Sequence, residues 1–332
     1  MGDGRREMGV KARRSRSRFP AFEFRWRDAV FFAVVALVVA PAIAHAWTPG
    51  THVFLGDAVM RSLALLPPAV AALLREFPHD FLYGSIAADT SIAKKYVPVG
   101  RHCHSWNVGM EILEGSKRDE PLRAFGLGYL AHLAADSVAH NYFVPKQLAV
   151  TSSTSGLGHS YWESRFETHL GTECARKARE LILIDHSRSD GLLDKILSPT
   201  IFSTSTNRRI FRGMVIAADN DSWQKIFSLM TENSRWDLPD GEVGRYVARS
   251  YDFIIDLLQR MDRSEPFQLD PSGDHALTLA KQIRKQTLRG GGGAVKLQQE
   301  AIKHFGMPTT ALPFSSDLRD PLYVPLARAA NS

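Results

Sequence analysis

Cysteine is nearly missing from this chain: its 332 residues include only Cys103 and Cys174. That excludes a fold stapled by several disulfides and leaves either one bridge or two thiols. Cys103 sits between His102 and His104, so it could also serve as a thiolate ligand. Net charge is scarce in most of the chain. The formal charge is +6, but residues 1–46 carry nine Lys/Arg against four Asp/Glu, leaving 32 basic and 31 acidic residues in the remainder. A near-neutral body argues against a broadly basic nucleic-acid-binding surface. Alternating runs of strand type and internal repeats are also lacking, which removes sheet and solenoid architectures.

Long apolar runs are lacking as well, with one exception. Ala29 to Ala40 is unbroken, follows Arg25 and Arg27, and leads into Pro41-Ala-Ile-Ala44-His45-Ala46. This order predicts a signal peptide over 1–46, cleaved at the small-x-small pair Ala44 and Ala46. The competing reading is an uncleaved anchor, although the run is short for a span of about 20 residues and Pro41 interrupts it. Arg13-Arg14 raises twin-arginine export, but the residues after it fit that signal poorly. The basic region is long enough that Met8 could be the true start.

What remains is helical in pattern. Apolar residues recur at helical spacing over 52–65, 68–77, 121–143, 159–184, 208–231, 241–261, 273–288 and 294–305. The prediction is an all-α fold: a single helical domain over 47–305, with helix starts such as Pro239-Asp240. Loops are expected at 90–101, 150–158 and 185–207, and a flexible break at Gly290 to Gly293. Residues 306–332 hold four prolines and read as an irregular tail.

One stretch carries chemistry. His132-Leu-Ala-Ala-Asp136-Ser-Val-Ala-His140 places three good zinc ligands at i, i+4 and i+8 inside the apolar run from Phe125 to Phe143. On a helix these point the same way. His159-Ser-Tyr-Trp-Glu163 follows with a second His and carboxylate at i, i+4. A lone helical histidine on an apolar face is ordinarily a core residue. Burying two imidazoles and a carboxylate together is costly without a metal or partners, so a metal site between facing helices is the better reading. Upstream stand Trp47, His52, Ala87-Ala88-Asp89 and His102-Cys103-His104-Ser105-Trp106. Asp89 could instead cap a helix, and Trp47 could be an ordinary buried anchor. His79, Asp80 and His169 read as surface or supporting residues, and Arg165 and Glu167 as members of helix ion pairs.

In content and order this series resembles the zinc-dependent phospholipase C family, the bacterial lecithinase and alpha-toxin type. The sequence runs from a Trp at the predicted mature N-terminus through a nearby His, Ala-Ala-Asp, a His close to an aromatic, His-x3-Asp and His to His-x3-Glu, over about residues 47–167. The resemblance implies a helical domain with a trinuclear zinc site. The α-amine and carbonyl of Trp47 would chelate one zinc with His52. Asp136 would bridge that ion to a second, held also by Asp89, His104 and His132. The third would take His140, His159 and Glu163. His104 is preferred to His102 because His-Ser-Trp fits the family pattern better. Family members place the next His six residues after the bridging Asp, past a proline. Here the step to His140 is four without one, which implies a continuous helix.

The implied activity is exported, zinc-dependent hydrolysis of glycerophospholipids to diacylglycerol and a phosphorylated head group, with Asp89 orienting or deprotonating the attacking water. The partner would be a phospholipid or membrane surface, and no protein partner is implied. Two alternatives remain. The same scaffold serves single-strand-specific zinc nucleases, for which Tyr83, Tyr96, Trp106, Tyr142, Phe143 and Trp162 could stack bases. A zinc-stabilised exported binding protein without turnover is the other.

Overall fold

Proline and small polar residues set where the helices begin. Thr48 caps Pro49–Arg61 (α1), with Pro49 at its first position; prolines also open Pro68–Glu76 (α2) and Pro78–Ala87 (α3). Ser105 caps Trp106–Gly115 (α4), and Asp119 caps Glu120–Val138 (α5). The computed structural model describes residues 47–92, 97–98, 100–152, 157–309 and 313–315. The leader, Tyr96 and the end of the tail lie outside these residues.

The fold is all-α, with no strand among the described residues. After α5 come Val144–Thr151 (α6), Leu157–Thr168 (α7), Glu173–Ile182 (α8), Ser187–Ile196 (α9), Thr204–Ala218 (α10), Asp221–Glu232 (α11), Asp240–Arg260 (α12), Asp274–Arg289 (α13) and Ala294–Phe305 (α14). α5 is the central helix, buried from Ala124 to Val138 and packed chiefly against α3 and α12. Its crossing with α3 is very close. A Cβ at Gly84 would come within 2.1 Å of the Phe125 carbonyl oxygen, and one at Gly128 within 2.0 Å of that of Phe81. Glycine at both positions lets the two backbones touch, bringing the end of α3 beside the middle of α5.

Several sequence expectations are corrected. The stretch 159–184 is two helices, parted where Gly171 turns at φ 91°. The stretch 208–231 is likewise split, because Asn220 caps a new helix. The expected loop at 185–207 contains α9, with Leu193 and Ile196 buried. The helix through His140 does run on from α5 into α6, but residues Ala139–Phe143 widen it into a π-turn. Pro145 lacks the N–H that the Asn141 carbonyl would accept in an unbroken α-helix, which accounts for the widening there. Cys103 and Cys174 do not form a disulfide with each other, and both are buried. Cys174 lies against the Leu170 carbonyl, and burial pushes its thiol up to about 12.

Candidate metal centre

The α3–α5 crossing delivers the first set of groups. Asp89 lies in a short 3-10 turn, Ala88–Thr90, that continues α3. His132 and Asp136 lie one turn apart on α5, His52 sits one turn into α1, and His104 just precedes α4. Asp136 is the hub. Its carboxylate oxygens lie 3.2 Å from His52 Nε2, 2.9 Å from His104 Nε2 and 3.1 Å from His132 Nε2. Asp89 Oδ1 lies 3.3 Å from His104 Nε2 and 4.0 Å from His132 Nε2. The second set adjoins the first, the His140 ring lying edge-on to that of His104 with centroids 6.2 Å apart. His159 Nε2 is 2.7 Å from Glu163 Oε1 on α7, and the His140 ring meets His159 edge-on with centroids 5.3 Å apart. All eight residues are buried, none more than 5 % exposed.

Backbone carbonyls set which ring nitrogens face the centre. His132 Nδ1 is 2.8 Å from the Ser85 carbonyl oxygen, and His140 Nδ1 is 2.5 Å from that of Pro271. A carbonyl only accepts, so each Nδ1 donates to it and each ring turns its Nε2 inward. His132 Nε2 then faces His104 Nε2 at 2.9 Å across the Asp136 carboxylate. Neither Asp136 oxygen, nor His52 Nε2, has a hydrogen-bond partner of ordinary geometry. Lone pairs converging in a buried space form a donor set that could hold a cation. Electrostatics agree. Burial holds the His52 imidazole down at about 4, keeping it neutral. Burial alone would raise the Asp136 carboxyl, but His132, His104 and His52 around it hold it well below the usual range.

Three residue groups bring ligand atoms within 4.8 Å of one another here: His52 with His132 and Asp136; Asp89 with His104 and His132; and His140 with His159 and Glu163. His102, Cys103 and His104 form a fourth. His102 Nδ1 accepts the His104 backbone N–H at 3.0 Å, and Cys103 Sγ lies 3.2 Å from His104 Nδ1, so both brace His104. The Trp47 indole is an anchor: its Nε1 donates to the Ala135 carbonyl at 3.1 Å, and its ring packs on Phe143 and Phe166.

Some expected residues lie elsewhere. His79 is exposed, and His169 pairs with Asp240 at 2.6 Å. Tyr83 is buried and donates to Asp190 at 2.6 Å, away from the centre. Glu167 makes no ion pair with Arg165. Its carboxylate accepts from the Thr48 hydroxyl and the Thr51 backbone N–H at the start of α1, and burial pushes it up to about 7. Sequence reading missed this brace, and also the loop before α13. Trp106 Nε1 donates to the Leu269 carbonyl at 2.9 Å, and Asn141 Nδ2 to that of Asp270 at 2.8 Å. Gly273, at φ 63°, lies so near that a Cβ would fall 2.4 Å from His140 Cβ. A loop 131 residues away thus orients His140, and no local pattern could have announced it.

With this geometry in hand, the comparisons are informative. Residues 51–198 match the family described as zinc dependent phospholipase C. The resemblance read from the motifs is to that family. The matched segment runs from within α1 to just past α9 and holds all eight clustered residues; Trp47 precedes it and the loop over His140 follows it. No curated protein and no solved structure matches the chain. The family's description names zinc, and the donor set of imidazoles and carboxylates suits that ion.

Proposed function

We propose that the protein is an exported phosphodiesterase that binds three zinc ions and hydrolyses glycerophospholipids to diacylglycerol and a phosphorylated head group. The observation carrying this reading is the convergence of imidazole nitrogens on the Asp136 carboxylate in one buried space, inside the segment that matches the family. In this reading the leader is removed before Trp47. The freed amine and the carbonyl of Trp47 would join His52 in holding one ion, which an intact leader forbids. Asp136 with Asp89, His104 and His132 would hold a second, and His140, His159 and Glu163 a third.

Zinc bound there would supply Lewis acidity to the phosphodiester and acidify water. The chain supplies the rest. Ser85 and Pro271 fix the rings of His132 and His140 through their carbonyls. Asp89 orients the attacking water or takes its proton. The packed helices around the centre keep its charges in surroundings of low dielectric, where they act strongly.

The test is to incubate purified protein beginning at Trp47 with phosphatidylcholine vesicles, with and without chelator. Phosphocholine release that stops with chelator and returns with zinc is expected. No release from a zinc-loaded sample, whatever the head group, would overturn the reading.

A further inference from the structure

One helix departs from the usual partition of apolar residues. No residue of α11 is buried. Trp223, Ile226, Leu229 and Met230 are 45, 53, 58 and 53 % exposed and fall on one arc of the helix. Phe227 alone leans inward, its ring 6.4 Å from that of Tyr161 on α7. Tyr161 in turn donates to Ser234 at 2.7 Å, and a groove continues from Met230 past Trp236 to Thr151 and Ser152. α11 therefore lies beside the helix that carries His159 and Glu163.

Basic charge borders the same region. Arg284 donates to the Val150 carbonyl at 2.6 Å, next to Thr151, and feels the charge of Arg235. Arg235 itself lies over the Trp236 ring at 4.6 Å. Lys281, Arg284, Lys285 and Arg289 line one groove along α13 with Leu288, and after Asp274 that helix has no acidic residue. None of these four cations has an acidic partner within 4.0 Å among the described residues.

We propose that the apolar arc of α11 and the basic face of α13 form a docking surface for an anionic phospholipid bilayer. An exposed apolar patch next to unpaired cations matches acyl chains beneath anionic head groups, and a tryptophan suits the boundary between them. Single-stranded nucleic acid fits less well, because Ile226, Leu229 and Met230 give phosphates nothing and do not stack bases. A second copy would set one basic face near another. The inference rests on the phospholipase reading for its meaning, since it would bring that centre to its substrate.

The mature protein is floated with vesicles of phosphatidylcholine, alone and with added phosphatidylglycerol. Turnover is followed in parallel on the same vesicles and on a short-chain, monomeric phosphatidylcholine. Stronger flotation with phosphatidylglycerol is expected. Ile226→Ser with Leu229→Ser, and separately Lys285→Glu with Arg289→Glu, should each lower vesicle affinity about tenfold or more, while monomer turnover is unchanged. The second pair tests the surface even where the first perturbs α11. Flotation of both double variants equal to that of the unaltered protein would overturn the proposal. So would a single-stranded oligonucleotide that displaces vesicles and depends on the same residues. Flotation with the expected residue dependence but no turnover on any substrate would support the surface and remove the phospholipase reading. Monomer turnover with residue-independent flotation would do the reverse.

Discussion

α5 and α11 invert the usual partition of side chains in opposite directions. α5 buries His132 and Asp136 completely, whereas α11 leaves Trp223 and Leu229 in solvent. Burying ionisable groups is costly unless something compensates them, and exposing large apolar groups forgoes burial that would stabilise the fold. On the readings proposed above, each helix is shaped for a partner beyond the folded chain: a cation for α5 and a lipid surface for α11. α8 lies between them in the chain and follows the ordinary rule, with Ala178, Leu181 and Ile182 buried and Arg176, Lys177 and Glu180 exposed.

The contrast can be broken most severely at the hub. Replacing His132 and Asp136 together by Ala should abolish zinc binding, measured by metal analysis, and lower phosphodiester hydrolysis by about a thousandfold or more. Retained activity would sink the metal assignment. Next in size is Leu133→Ala on α5. Leu133 is fully buried, so the change should cost about 2–5 kcal/mol in denaturant unfolding. Gly273→Ala combines a left-handed backbone with the collision at His140 and should cost about 2 kcal/mol or more. It should also weaken zinc retention at the His140 group, where a change confined to α11 would not.

Glu167→Gln gives a smaller effect with a defined sign. The Glu167 carboxyl is raised from 4.5 to about 7, so between those values the folded state binds its proton more tightly than the unfolded chain. Its contribution is fully present below about 4.5 and is lost as pH rises through about 7. The melting temperature of the metal-free protein should therefore fall across that window relative to the Gln variant, which has no proton to lose there. Parallel curves would show that Glu167 is not buried as described. Smallest of all, Leu229→Ser should shift stability by less than about 0.5 kcal/mol, because the exposed side chain stabilises little.

The sequence showed the all-α fold and the neighbourhood of the centre because both are written locally. His132 and Asp136, and likewise His159 and Glu163, sit one helical turn apart, so spacing alone aims them together. Cleavage before Trp47 is an expectation that concerns residues outside the described structure. α9 escaped because Ser187-Arg-Ser-Asp-Gly191 looks like a loop; its Asp190 is held by Tyr83, Arg208 and Arg212, which are distant in the chain. The π-turn escaped because Pro145 acts on a carbonyl four residues back. Glu167 looked like half of a helix ion pair and instead reaches α1, a contact that exists only after packing. The same holds for the loop over His140.

That loop also imposes an order of events during synthesis. His52, Asp89, His104, His132 and Asp136 all emerge before residue 137, and Ser85, which holds the His132 ring, emerges with them. The His140 ring must wait for Pro271. A chain ending before Pro271 would lack the carbonyl that orients the His140 ring, and one ending before α12 would also lack a main support of α5.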